Sequence, residues 1–168
     1  TAETTTTEEE PFVEPDFTME MSSYDKLKEY LNENFSDYMM FIPEINKEEY
    51  EIVECRLDDY RQGMFFVSLK NKETNKIMGF QTKAYKEPQT FEYMLELTTK
   101  SAVDMDCREE VDTKNNVIYL TDPWSKEDAY WATSLTDEGI IISWGFGNDL
   151  SLDEVKTEYE YAMKHAFL

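Results

Sequence analysis

From Tyr50 to Phe146 the apolar residues recur at every second position, in short runs broken by turn chemistry roughly every 10–14 residues. That period dominates what the chain can fold into. The runs are "YEIVECRL", "MFFVSLKN", "KIMGFQTKAY", "TFEYMLELT", "AVDMDC", "NNVIYLTD", "YWATSL" and "GIIISWGF". In "MFFVSLKN" Phe65, Val67 and Leu69 share one face. In "TFEYMLELT" Phe91, Tyr93, Leu95 and Leu97 alternate with Glu92, Met94 and Glu96, which predicts another strand. "AVDMDC" places Val103, Met105 and Cys107 opposite Asp104 and Asp106. Asn115–Asn116 suits a turn, because Asn tolerates positive φ. No helical pattern separates the runs, so antiparallel pairing is expected and a doubly wound parallel sheet is not.

A helix is expected at each end of this series. Around residues 23–36, Tyr24, Leu27, Leu31, Asn34 or Phe35, and Tyr38 form one stripe at helical spacing, with Ser22 or Ser23 as cap. Pro43 then imposes an extended stretch. At the other end "SLDEV" is a capping box, Ser151 with Glu154, and Leu152, Val155, Tyr159, Ala162, Met163 and Ala166 line the buried stripe. The expected fold is α+β: a curved antiparallel β-sheet of about six to eight strands, with the N-terminal and C-terminal helices packed on one face.

The 168 residues suit one domain, residues 22–168, preceded by an acidic tether over residues 1–21. That leader holds seven acids and no base, and Pro11 and Pro15 stiffen it. Such a segment buries too little apolar surface to offset its ordering entropy and is expected to be disordered. It reads as the stalk of an exported protein, with a secretion signal or a lipid anchor upstream; a linker to another domain and an ordinary frayed end are the alternatives. The net charge of -21 argues against nucleic acid and against anionic membrane surfaces, whose recognition rests on basic side chains. No window has the run of ~18 apolar residues that a membrane span needs.

Catalytic and metal motifs are sparse. The single histidine, His165, lies near the end of the last helix, where it complements the helix dipole. "GFGN" at 145–148 reads as a turn, since the acids at the mouth of the following helix would repel phosphate. Asp104 and Asp106 lack the spacing and glycine of an EF-hand and read as a solvated strand face. No catalytic residue, metal ligand or cofactor is therefore assigned. Cys55 and Cys107 either pair, closing a long loop, or remain two buried thiols.

Aromatic residues are the remaining functional signal. Trp124 lies in the turn-like "TDPWSKED", and Trp131 and Trp144 sit on the two arms of the last hairpin, with Tyr130 and Phe146 alternating. One face of that hairpin packs on the helices. The other offers Trp124, Tyr130, Trp131 and Trp144 as a candidate stacking surface for sugar rings or a protein partner.

The stretch "YWATSL", the turn "TDEG" and the helix opened by "LSLDEV" resemble an uncharacterised domain of Gram-positive exported lipoproteins and sporulation- or anti-sigma-associated surface proteins. "MFIPEI" followed by "YEIVE" is similar to that family's lead-in. The resemblance implies an extracytoplasmic, cell-surface location and no particular reaction. The expected function is a non-enzymatic, monomeric interaction or sensing domain whose partner is a protein or wall glycan. The alternatives are a carbohydrate- or wall-polymer-binding module using the aromatic hairpin, and a small hydrolase or hydrolase inhibitor.

Overall fold

The computed structural model describes residues 11–122, 129–147 and 150–168. The elements run β1 (Met19–Glu20), α1 (Tyr24–Asn34), β2 (Tyr50–Asp59), β3 (Met64–Asn71), β4 (Ile77–Thr82), α2 (Phe91–Asp104), β5 (Arg108–Asp112), β6 (Val117–Thr121), β7 (Ala129–Leu135), β8 (Ile141–Gly145) and α3 (Leu152–His165). The strands form one open antiparallel sheet in the order β1-β2-β3-β4-β8-β7-β6-β5. Two meanders therefore meet in the middle. The chain leaves β4, crosses to the far edge through α2, and returns strand by strand until β8 lies against β4.

The α+β antiparallel architecture agrees with the sequence; the identity of one element does not. "TFEYMLELT" and the start of "AVDMDC" form α2, not two strands. Thr90 caps it by accepting from the Tyr93 N–H, and Met94, Thr98 and Ala102, spaced four apart, are its buried residues. The apparent alternation is misleading because Tyr93 and Leu97 stay 44% and 42% exposed. Glu92, Met94, Leu95, Glu96 and Leu97 are all good helix formers, and here propensity outweighs the period-two pattern.

The helices also divide between the faces. On one face Tyr24, Leu27 and Leu31 of α1 and Leu152, Val155 and Tyr159 of α3 pack with Val67, Phe80, Tyr119, Ile142 and Trp144 of the sheet. Met94 of α2 packs with Ile118 and Ile141 in a separate cluster. Ile118 and Ile141 alternate with Tyr119 and Ile142, so α2 lies on the opposite face. It contacts β5, β6 and β7 but leaves the β2–β4 half of that face uncovered.

The meanders join at three residue pairs, Gly79↔Gly145, Phe80↔Trp144 and Gln81↔Ser143. The helix-covered side of this seam is almost wholly aromatic. Phe80 lies 5.5 Å from Trp144 and 5.8 Å from Phe167, and Trp144 lies 5.6 Å from Tyr159, ring centre to ring centre. The Trp144 indole N–H donates to Ser134 Oγ at 2.7 Å, so its one polar group is satisfied inside the core.

The expected capping box at Ser151–Glu154 is present. Asn116 adopts φ 53°, as the Asn-Asn turn requires. The body begins earlier than residue 22, however. Met19 and Glu20 pair with Leu57 and Arg56 as an edge strand, and Phe17 lies 3.2 Å under the Arg61 guanidinium. Arg61 is held in turn by Asp59, whose carboxyl it draws down to about 2. Phe12 and Val13 remain exposed, without contact to the core.

The seam yields a stability prediction. Phe80→Ala should cost about 3–5 kcal/mol and lower Tm by roughly 10 °C. Ser134→Ala, which strands the buried indole N–H, should cost about 1–3 kcal/mol. Urea denaturation of the two variants checks both values.

Candidate functional site

The uncovered half of the α2 face forms a groove of about 470 Å³ along the flank of that helix. This is within the ~300–1,000 Å³ usual for small-molecule sites. Register explains its floor. Arg56, Phe66, Gln81, Ser143 and Thr133 stand in one continuous row across β2, β3, β4, β8 and β7. One step along the strands, Ser68, Gly79 and Gly145 form the next row. Trp131, one residue before the last β7–β8 pair, shares this face with Thr133 and lines the groove. Leu97, Thr98 and Ser101 of α2 supply the opposite wall.

The two glycines shape the cleft. A Cβ on Gly79 would stand 2.6 Å from Cζ of Phe66, so the Phe66 ring tip lies directly over the glycine backbone. This is an aromatic side chain covering a strand glycine. Over Gly145 a Cβ would meet no atom within 4 Å among the described residues. Bare backbone is thus exposed between Phe66 and Trp131. Interior strand glycines weaken a sheet and often mark a close approach by another group.

The one arginine at the described end of the groove is fully paired. Arg56 is 4.3 Å over the Phe66 ring and donates through Nε to Asp58 and through Nη1 to Glu54, both at 2.6 Å. Burial disfavours its charge, but the hydrogen bonds it donates to Asp58 and Glu54 outweigh that, and the net shift is upward. Gln81 also donates to Asp58 at 2.6 Å. One cation between two carboxylates leaves the cluster net negative and gives no site for an anion.

The polar groups along the remainder of the groove are different. Among the described residues, the hydroxyls of Ser101, Thr133 and Ser143 and the indole N–H of Trp131 make no hydrogen bond within the protein. Among the described residues no buried side-chain nitrogen or oxygen lacks a partner, so these free groups are open to solvent.

The aromatic residues singled out from the sequence do not form one platform. Trp131 is half-buried in the groove. Trp144, 1% exposed, belongs to the core on the opposite face and is not available to a ligand. Phe146 packs in that core beside Tyr159. Tyr130 occupies a β7 position whose side chain is outside the described residues, and Trp124 lies wholly outside them.

Cys55 and Cys107 are free thiols. Cys55 is in β2 and Cys107 precedes β5, strands with five others between them, so no bond joins them. Burial raises both thiols above their ordinary range. Asp104 ends α2 and Asp106 follows in a turn at φ 53°, not on a strand face. Among the described residues no three His, Cys, Asp or Glu side chains converge on a point that would hold a metal. His165 stacks on Tyr161 at 4.2 Å and faces Glu49 at 3.5 Å.

A larger depression, about 840 Å³, runs along the outer side of α2. All its described lining residues belong to that helix and its cap, so no second element brings groups together there. Among the described residues no helix is long and apolar enough to cross a membrane. The chain matches no family model, and no curated protein or solved structure shows significant similarity to it.

Arg56, Phe66 and Gly79 were not singled out from the sequence, and Gly145, read there as the start of the "GFGN" turn, is instead the last residue of β8. The available signal was a glycine inside one strand and another at the end of a second, with an outward Phe66 between the inward Phe65 and Val67.

The two glycines should respond oppositely to a side chain. Gly79→Val must displace Phe66 and should lower Tm by several degrees, whereas Gly145→Val should leave Tm unchanged or raise it. Thermal unfolding of the pair separates the outcomes.

Proposed function

We propose that this chain is a non-enzymatic recognition domain that binds its ligand in the groove over Gly145. The carrying observation is the set of free polar groups on Ser101, Thr133, Ser143 and Trp131, held on a rigid sheet floor beside bare backbone. Preformed sites of this kind, mostly apolar with a few directed polar groups, are typical of small-molecule recognition. Chemistry is not favoured, because Glu54, Arg56 and Asp58 are committed to one another.

An extracytoplasmic, cell-surface setting with a lipid anchor upstream is part of the same reading. It is supported by the acidic leader and by the resemblance of the "YWATSL"–"LSLDEV" region to exported lipoprotein domains. The monomeric state belongs to the proposal as well.

The test is a thermal-shift screen of the whole chain against wall fragments, glycans, peptides and calcium. A ligand of the native state raises Tm by mass action, by about 2.7 kcal/mol of stability at a hundredfold excess over Kd. At least one class should raise Tm in the parent protein and fail to do so in Gly145→Val. A shift that survives Gly145→Val, or no shift from any class, contradicts binding in the groove.

A further inference from the structure

We infer that the groove takes a neutral pyranose glycan, seated on Gly145 between Phe66 and Trp131. This rests on the groove being the binding site and adds the chemical class of the ligand. Strands lie ~4.8 Å apart, so the backbones of Gly79 and Trp131, two strands apart across Gly145, are separated by about 10 Å. A flat ring touching an aromatic group on each side at ~3.5–4 Å fits that width. Larger side chains at 79 or 145 would close it.

A pyranose ring has an apolar C–H face and a rim of hydroxyls. The walls meet the first requirement: the Trp131 indole on one side, the tip of the Phe66 ring on the other. The free hydroxyls of Thr133 and Ser143 on the floor and Ser101 on the α2 wall meet the second, because each both donates and accepts. A sugar rim also does both. A purely apolar ligand would leave these groups stranded.

Charge excludes the nearest alternatives. The net charge of the chain is -21, and the one guanidinium at the groove already serves two carboxylates. An anionic glycan or an acidic peptide would meet a repulsive field, with no free cation among the described lining residues to offset it. A cationic ligand would be attracted to the chain as a whole but would find no carboxylate among the described residues that line the groove.

The experiment is a ¹H–¹⁵N titration of the full chain with neutral β-1,4-linked glucose and N-acetylglucosamine oligosaccharides. Oligogalacturonate and a lysine-rich peptide serve as charged comparators. A neutral oligosaccharide should shift the Trp131 indole and the Ser143 and Gly145 amides. Trp131→Ala should weaken that binding roughly tenfold, and Gly145→Val should abolish it while the spectrum stays dispersed. Shifts at the same resonances by a charged comparator alone, lost in Gly145→Val, would overturn the glycan assignment and leave the groove as the binding site. A neutral glycan that binds Gly145→Val as well as the parent would overturn both.

Discussion

The short seam between β4 and β8 is the constraint on which the rest of the structure depends. Three residue pairs join the two meanders edge to edge, and the two sides of those pairs carry opposite chemistry. Phe80 and Trp144 face inward to a ring cluster completed by Tyr159 and Phe167. Gly79 and Gly145 face outward with Gln81 and Ser143. Alternation along a strand makes the two sides inseparable: the residues that anchor the core fix the positions of those that leave the groove open.

That arrangement gives a physical reason for the groove. A sheet face left without a helix usually carries long polar side chains. Here α2 covers only the β5–β7 half of the face, and the remainder has glycines, hydroxyls and a neutralised arginine at its surface. The rigidity comes from the opposite side, where aromatic packing holds β4 against β8. The site is thus preorganised by the core, with no loop required to close over it.

Much of this was legible in the sequence, and what was not has identifiable causes. The end helices were legible because Leu27 and Leu31, and Leu152, Val155 and Tyr159, keep an uninterrupted helical period beside clear caps. The strands around Phe65–Leu69 and Val117–Thr121 alternate or are apolar enough to be unambiguous. Helix α2 was misread because its exposed flank, Tyr93 and Leu97, happens to mimic a strand face. Trp131 and Trp144 were both recognised as aromatic arms of one hairpin, yet a single-residue difference in register places one in the groove and the other in the core. The β4–β8 pairing joins residues more than sixty positions apart, and no local signal encodes it. Without that pairing Gly79 and Gly145 are two unrelated glycines.

The most direct measurement is native-state hydrogen exchange of the backbone amides that bridge β4 and β8. If the seam unites the molecule, those amides exchange only through global unfolding, with the same free energy and denaturant dependence as the amides at the centres of β3 and β6. Exchange at the seam through a smaller, separate opening would show the two meanders to be independent units, and would contradict the account.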